Sequence, residues 1–215
     1  MNLCRVTFWF IFAPMKNALI LLTITLFALS LKAQDLSILD NIYAKGTTIA
    51  SVEARINKVL QRKDTTIVQN GDFFYVSPDK VAALFDDGNY MIINGNRMSI
   101  DIGVFHGRYK LNRNKTMRSI SRIFLYGIQG RCKDFLEESG YTMETIQKDG
   151  LQIIQFTTKK KHFLGLGYRV VIFKYDLNEL LLRELVLIDY NDFIDTFTIS
   201  EPKHNVKINE EKFAQ

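Results

Sequence analysis

Asn70-Gly71-Asp72-Phe73-Phe74-Tyr75-Val76-Ser77-Pro78, then Val81-Ala82-Ala83-Leu84-Phe85, then Tyr90-Met91-Ile92-Ile93-Asn94-Gly95-Asn96-Arg97-Met98-Ser99-Ile100-Asp101-Ile102, decide the fold of this chain. The runs are rich in β-branched and aromatic residues and are separated by turn formers, so they read as neighbouring strands. Asn94-Gly95 is a strong hairpin signal, because a tight type I′ turn needs positive φ at both central residues. With those two as the loop, Ile93 faces Asn96 and Met91 faces Met98. The side-chain period of two then puts Met91, Ile93, Met98 and Ile100 on one face, with Ser99 and Asp101 on the other. One side of this meander is expected to be apolar and the other wet.

The N-terminus reads as a targeting segment. Residues 17–30 form an apolar run behind Lys16, and Lys32-Ala33-Gln34 follows, with Ala33 suited to the position before a cleavage. This is the three-part pattern of a secretory signal peptide, and the run is shorter than the roughly 20 residues of a membrane span. Residues 1–33 are therefore assigned to the signal, cleaved near Ala33, with Met15 an alternative start. Residues 34–215 are assigned to one domain, long enough to bury a sizeable core.

Removing the signal changes the charge. The chain has 28 basic and 23 acidic residues, and Arg5, Lys16 and Lys32 leave with the signal, so the mature part carries a net +2. That excess is too small to support nucleic-acid binding. Cys4 also leaves, so Cys132 has no intrachain disulfide partner. No cysteine follows the apolar run, so lipidation there is not expected. The mature chain is expected to be soluble in an extracytoplasmic compartment.

Asp35–Ala44 reads as a short helix stopped by Gly46. Thr47–Gln61 fits two periods. Val52, Ile56, Val59 and Leu60 make a helical face, while Ala50, Val52, Ala54 and Ile56 alternate with polar residues as in a half-buried strand. Gly103–Asn114 is polar and reads as a loop. Lys115–Gly127 reads as an amphipathic helix with Met117, Ile120, Ile123, Phe124 and Ile128 along one stripe, ended by Gly127 and Gly130. Asp134–Ser139 adds a helical turn. Tyr141–Gln147 with Leu151–Thr158, and Arg169–Tyr175 with Leu181–Asp189, read as two hairpins. Asp192–Ser200 is a last strand, closed by Pro202.

Catalytic constellations are absent from the motifs. His106, His162 and His204 fall on expected loops without partners at metal-ligand spacing. No nucleophile elbow, zinc helix, phosphate loop or dinucleotide fingerprint occurs. Arg131 and Lys133 could activate Cys132, but no histidine lies near it in sequence. Asp86-Asp87-Gly88-Asn89 lacks the twelve-residue calcium ligand set and reads as a turn. Lys159-Lys160-Lys161 reads as a solvated run. No catalytic residue, metal or cofactor is expected. The notable inventory is apolar: sixteen phenylalanines and six methionines, of which Met91, Met98 and Met117 suit an adaptable surface. Such residues fill an ordinary core equally well.

The order of parts resembles the LolA-like outer-membrane lipoprotein carriers. The resemblance lies in the Gly71-Asp72-Phe73-Phe74 strand ending at Pro78, the strand Val81–Phe85, the acidic turn, the Asn94-Gly95 hairpin, the helix after it, the paired strands and the terminal Phe213. It favours a strand for Thr47–Gln61. It implies a mainly β, α+β fold: an incomplete, strongly curved antiparallel β-barrel with helices covering its mouth. It also implies a monomeric, non-enzymatic periplasmic carrier that receives acylated lipoproteins from an inner-membrane lipoprotein-releasing ABC transporter and gives them to an outer-membrane acceptor. The residues expected to line the lipid cavity are Val52, Ile56, Phe73, Tyr75, Leu84, Met91, Ile93, Met98 and Ile100, with Met117, Ile120 and Phe124 from the lid. Better-known members place an arginine before the proline, where this chain has Ser77. Lid control by that arginine does not carry over, and Arg118 or Arg122 is the substitute to look for. Carriage of another amphiphile, such as a glycolipid or pigment, and an interaction module with a filled core remain open.

Overall fold

A computed structural model describes residues 37–102, 105–158 and 167–214; the expected signal peptide and its cleavage site, the run 159–161 and His162 lie outside them. Residues 37–47 form helix α1, which extends past the expected Ala44 and through Gly46. Six strands follow: β1 (Ser51–Arg62), β2 (Thr65–Val76), β3 (Lys80–Phe85), β4 (Tyr90–Asn94), β5 (Arg97–Ile102) and β6 (Phe105–Lys110). Helices α2 (Lys115–Gln129) and α3 (Cys132–Ser139) come next. The chain then returns to strands: β7 (Thr142–Lys148), β8 (Leu151–Thr157), β9 (Tyr168–Asp176), β10 (Leu182–Asp189) and β11 (Ile194–His204). All eleven form one antiparallel sheet in the order β6-β5-β4-β3-β2-β1-β11-β10-β9-β8-β7. The edges β6 and β7 do not pair with each other, so the barrel is incomplete. This is the fold class expected from the sequence.

Of the segment Thr47–Gln61, Thr47 ends α1 and the part from Ser51 onward is strand β1. Val52, Ala54, Ile56, Lys58 and Leu60 are buried and the residues between them are half-buried. β1 is central, with β2 on one side and β11 on the other, and this double pairing overrides the helical leaning of its Ala, Glu, Arg and Lys residues. Pro202 does not end β11. Glu201 adopts φ +53°, the register against β1 shifts between Glu53 and Arg55, and the strand continues through a bulge, a position that tolerates a proline.

Three further expectations are corrected. The segment read as a loop, 103–114, contains β6, which forms a further hairpin with β5. Its polar residues His106, Arg108 and Lys110 are exposed and alternate with Phe105 and Tyr109, so the alternation was present but short. The hairpin loop is Gly95-Asn96 rather than Asn94-Gly95: Ile93 pairs with Met98 and Met91 with Ile100. Only Gly95 takes a positive φ there (+57°), the pattern of a turn with glycine at its first central position. The pairing moves by two residues, so the parity of faces survives. Gly127 does not end α2. The helix runs on to Gln129, and Gly130 caps it at φ +68°. A Cβ on Gly127 would meet the Phe173 ring at 3.0 Å, so this glycine serves close helix-to-sheet packing.

One face of the sheet carries the helices. Phe124 of α2 stands edge-on to Phe197 of β11, with centroids 5.1 Å apart. Phe135 of α3 meets Phe156 at 4.8 Å and Phe173 at 5.8 Å. Asn114 starts α2 by accepting a hydrogen bond from the Met117 amide at 3.0 Å. The opposite face is not simply wet. A 3-10 turn, Glu210–Phe213, brings Phe213 onto Phe74, Ala82 and Ile92. Ser99 is also buried.

Gly71, the first residue of the deciding motif, is required by contact. A Cβ there would lie 2.2 Å from the Leu84 carbonyl oxygen and 2.7 Å from the Phe85 Cα. We expect Gly71→Ala to cost about 1–3 kcal/mol through overpacking, seen as a fall of roughly 2–12 °C in melting temperature. An unchanged melting curve would show that β2 and β3 have room to part.

Candidate functional site

The helix-covered interior divides into a packed end and a hollow end. At the packed end Phe73, Tyr75, Val81, Ile93, Met98 and Tyr175 are each at most 1% exposed. At the other end, where β1 finishes, β4 begins and β11 begins, a cavity of about 350 Å³ remains between the sheet and α2. Its apolar wall comes from Met91, Ile100, Ile102 and Phe105 on β4–β6, and from Ile120 and Phe124 on α2. Leu60, Phe193 and Phe197 complete it from β1, the β10–β11 turn and β11. The cavity reaches the surface beside Arg62 and Asn191, which are exposed. A second hollow of about 360 Å³ adjoins it at Ile120, Gly167 and Tyr168, and lies between α2, α3 and Tyr141.

The structure brings together Met91, Ile100, Ile120 and Phe124 from the expected lining residues. Val52 and Phe73 instead border a small void of about 20 Å³ beside Ile128 and His204. Ile56, Tyr75, Ile93, Met98 and Met117 are buried but border none of these spaces. Leu84 is on the other face of the sheet, packed against the Phe74 and Phe213 cluster. Every residue of β3 from Val81 to Phe85 is apolar, so alternation gives no parity there.

The sequence reading missed the polar wall. Lys58 points inward on β1, with its side chain 5% exposed, and its Nζ is 3.5 Å from Asp195 Oδ1. Lys58 Nζ also donates to Gln69 Oε1 at 3.3 Å and lies 5.9 Å from the Phe197 ring centre. Gln69 in turn donates to Asp87 at 2.7 Å. Asp195 Oδ1 is buried and accepts no hydrogen bond among the described residues; its contact with Lys58 is a long ion pair. Burial pushes the Lys58 pKa down and the Asp195 pKa up, against the weaker pull of each on the other. Tyr168, on the same wall, has its hydroxyl pKa raised by burial and by the nearby Asp195 and Asp189. The alternation Val52, Ala54, Ile56 already pointed to Lys58 as the next inward residue; its charge masked the signal.

Both shifts oppose folding at neutral pH. A raised Asp195 pKa gives stability that is complete below the usual 3.8 and is lost as pH rises through the folded value. A lowered Lys58 pKa gives stability that is complete above the usual 10.5 and is lost as pH falls through the folded value. The double variant Lys58→Met/Asp195→Leu is therefore expected to be as stable as the parent or about 1–4 kcal/mol more so at neutral pH, while either single change costs about 3–5 kcal/mol. Urea melts of the four proteins check this; a double variant less stable than both singles would refute it.

Other expected groups settle elsewhere. Cys132 is fully buried, its Sγ 3.4 Å from the Tyr175 hydroxyl, and burial pushes its pKa up to about 12, so its basic neighbours do not activate it. His106 and His204 are on strands rather than loops. His106 Nδ1 is 2.5 Å from Asp101, and His204 Nδ1 is buried without a hydrogen bond among the described residues. No cluster of three metal-ligating side chains exists among the described residues. Asp86-Asp87-Gly88-Asn89 is a turn, tied by Arg55 to Asp86 and Asp72 and by Gln69 to Asp87. Arg122 pairs with Glu138 at 2.8 Å, joining α2 to α3 rather than to the sheet. The contact between lid and proline strand comes from Gln129, which donates to the Tyr75 hydroxyl at 3.2 Å and to the Pro78 carbonyl.

No protein-family model matches the chain, and no curated protein matches it in sequence. Solved structures do show similarity. A LolA superfamily protein from Nitrosomonas europaea aligns at 9% identity over 82% of this chain and 97% of its own, with a TM-score of 0.40. An uncharacterized conserved protein from Thermus thermophilus aligns at 8% identity over 85% and 93%, with a TM-score of 0.48. A chain of the Pseudomonas aeruginosa MucA/MucB complex aligns at 12% identity over 84% and 61%, with a TM-score of 0.46. At such identities no cargo, partner or activity is carried over to this chain. No helix among the described residues is long and apolar enough to cross a membrane.

Proposed function

We propose that the mature chain is a periplasmic carrier that shelters the acyl chains of lipoproteins and delivers them toward the outer membrane. The observation that carries this reading is the unfilled, mainly apolar space of about 350 Å³ under α2, which reaches the surface at one end of an incomplete barrel. Its walls are mainly apolar and it opens to the surface, so an acyl chain can enter it and cover side chains that the fold itself leaves unpacked. Its volume falls in the range of roughly 300–1,000 Å³ typical of small-ligand sites. Each methylene taken from water is worth about 0.8 kcal/mol, so an acyl chain gains strongly by entering. Met91 and the rim of α2 let the wall adapt to different chains. By resemblance, the donor is an inner-membrane transporter and the receiver an outer-membrane acceptor. No catalytic step is proposed.

The test is direct. Purified mature protein should bind a fluorescent fatty-acid analogue saturably, near one per chain. Mass spectrometry of native preparations should find acyl lipids that copurify with it. Probe binding that stays linear and weak, with no copurifying lipid, would favour the interaction module. A copurifying glycolipid or pigment would favour the other-amphiphile reading.

A further inference from the structure

The Lys58–Asp195 pair is costly to the fold and sits in the wall of the hollow rather than in the packed end. The pair therefore asks for a role outside stability. Lys58 Nζ is a buried donor whose two polar contacts are long, 3.3 Å to Gln69 and 3.5 Å to Asp195. Asp195 Oδ1 is a buried acceptor with no hydrogen bond among the described residues. The facing wall carries the apolar side chains Met91, Ile100 and Phe124, while Tyr168 and Asp189 lie on the side of the pair and Arg62 and Asn191 stand at the mouth. The hollow is thus two-sided: an oily wall, and a polar side on which Lys58 and Asp195 offer a buried donor and a buried acceptor next to each other.

Chemistry limits what such a spot accepts. A free carboxylate would gain Lys58 but face the Asp195 charge at the same range. A quaternary ammonium would gain Asp195 but face Lys58. A neutral head with a carbonyl and an N–H or O–H a few atoms apart satisfies both, and leaves neither buried charge unpartnered. The geometry points to an acyl chain carrying a neutral hydrogen-bonding head, an N-acyl amide or hydroxy-ester, bound with its head between Lys58 and Asp195. This deepens the carrier reading above and rests on it. An amide is the head that an acyl chain presents when it is joined to the amino terminus of a protein.

The test compares heads on one chain length. N-phenyl-1-naphthylamine is loaded into the mature protein at pH 7.4 and displaced by N-(2-hydroxyethyl)dodecanamide, monododecanoylglycerol, dodecanoate or dodecyltrimethylammonium, each below its micelle concentration. The two neutral amphiphiles should displace the probe at concentrations at least tenfold lower than either ion. Asp195→Asn should bring dodecanoate level with the amide or ahead of it, because Lys58 then lacks a counter-charge. Lys58→Met should do the same for the ammonium. Near-ultraviolet circular dichroism confirms that each variant is folded, and Lys58→Met/Asp195→Leu, in which all four heads should converge, supplies the reading should a single variant fail to fold.

Equal displacement by all four heads in the parent, or tighter binding of dodecanoate there, overturns the head-group inference and leaves the carrier reading standing. Failure of every amphiphile to compete, or of the probe to bind, overturns both.

Discussion

Ile120→Trp should abolish acyl-chain binding without harming the fold. Ile120 lines both hollows at the point where they adjoin, and it is 6% exposed. An indole there grows into empty space rather than into packed neighbours, so the overpacking penalty of about 1–3 kcal/mol for a full core does not arise. Filling the space also adds dispersion contacts that the apolar walls now lack. The melting temperature should hold or rise, while affinity for the fatty-acid analogue falls at least tenfold. Ile120→Ala is the opposite control: it enlarges the hollow, costs about 2–5 kcal/mol and keeps binding. Tight binding by Ile120→Trp would place the ligand somewhere other than under α2. The substitution is a better test than a charge at Met98, because Met98 is fully buried at the packed end and a charge there would unfold the protein rather than block a site.

A large effect on stability is also expected from the other face. Phe213 is 1% exposed and closes over Phe74, Ala82 and Ile92, with Val76, Leu84, Tyr90 and Ile208 around them. Polar contacts fasten the same turn: Lys80 pairs with Glu210 at 2.6 Å, and Asn94 donates to the Phe213 carbonyl at 3.3 Å. The Lys212 ammonium lies 4.8 Å from the centre of the Phe74 ring. Phe213→Ala is expected to cost about 3–5 kcal/mol, and to lower the melting temperature by roughly 6–20 °C. It should also expose enough of the Phe74 patch to bind a hydrophobic dye. Acyl-chain binding at temperatures where the variant stays folded should be unchanged, since the hollow is on the opposite face. A stability loss below 1 kcal/mol would show that the tail is a loose attachment.

Much of this architecture was legible in the residues, for physical reasons that also mark where reading stopped. The two-residue period of Met91, Ile93, Met98 and Ile100 fixed their common face even though the turn was placed one residue early, because the resulting change in pairing was even. The three- and four-residue steps of α2 gave its buried stripe directly. Leu84 failed because β3 is apolar on both faces, and its second face is covered by a tail about 130 residues away in sequence, as the Lys80–Glu210 pair shows. Phe105 failed because three polar residues at every second position, with a glycine among them, look like a loop when no partner strand is known. Lys58 and Asp195 failed because charge on an alternating strand is normally read as outward. Where the hollow begins and the packed core ends depends on volumes, and residue order carries no measure of volume.

The unjoined edges have a mechanical consequence. In a closed barrel a ring of ladder hydrogen bonds fixes the girth. Here β6 and β7 are bonded on one side only, so no such ring limits the spread of the sheet among the described residues. A bulky guest can push the two margins apart at the cost of a small change in curvature distributed over ten strand pairs, and the walls can spring back once it departs.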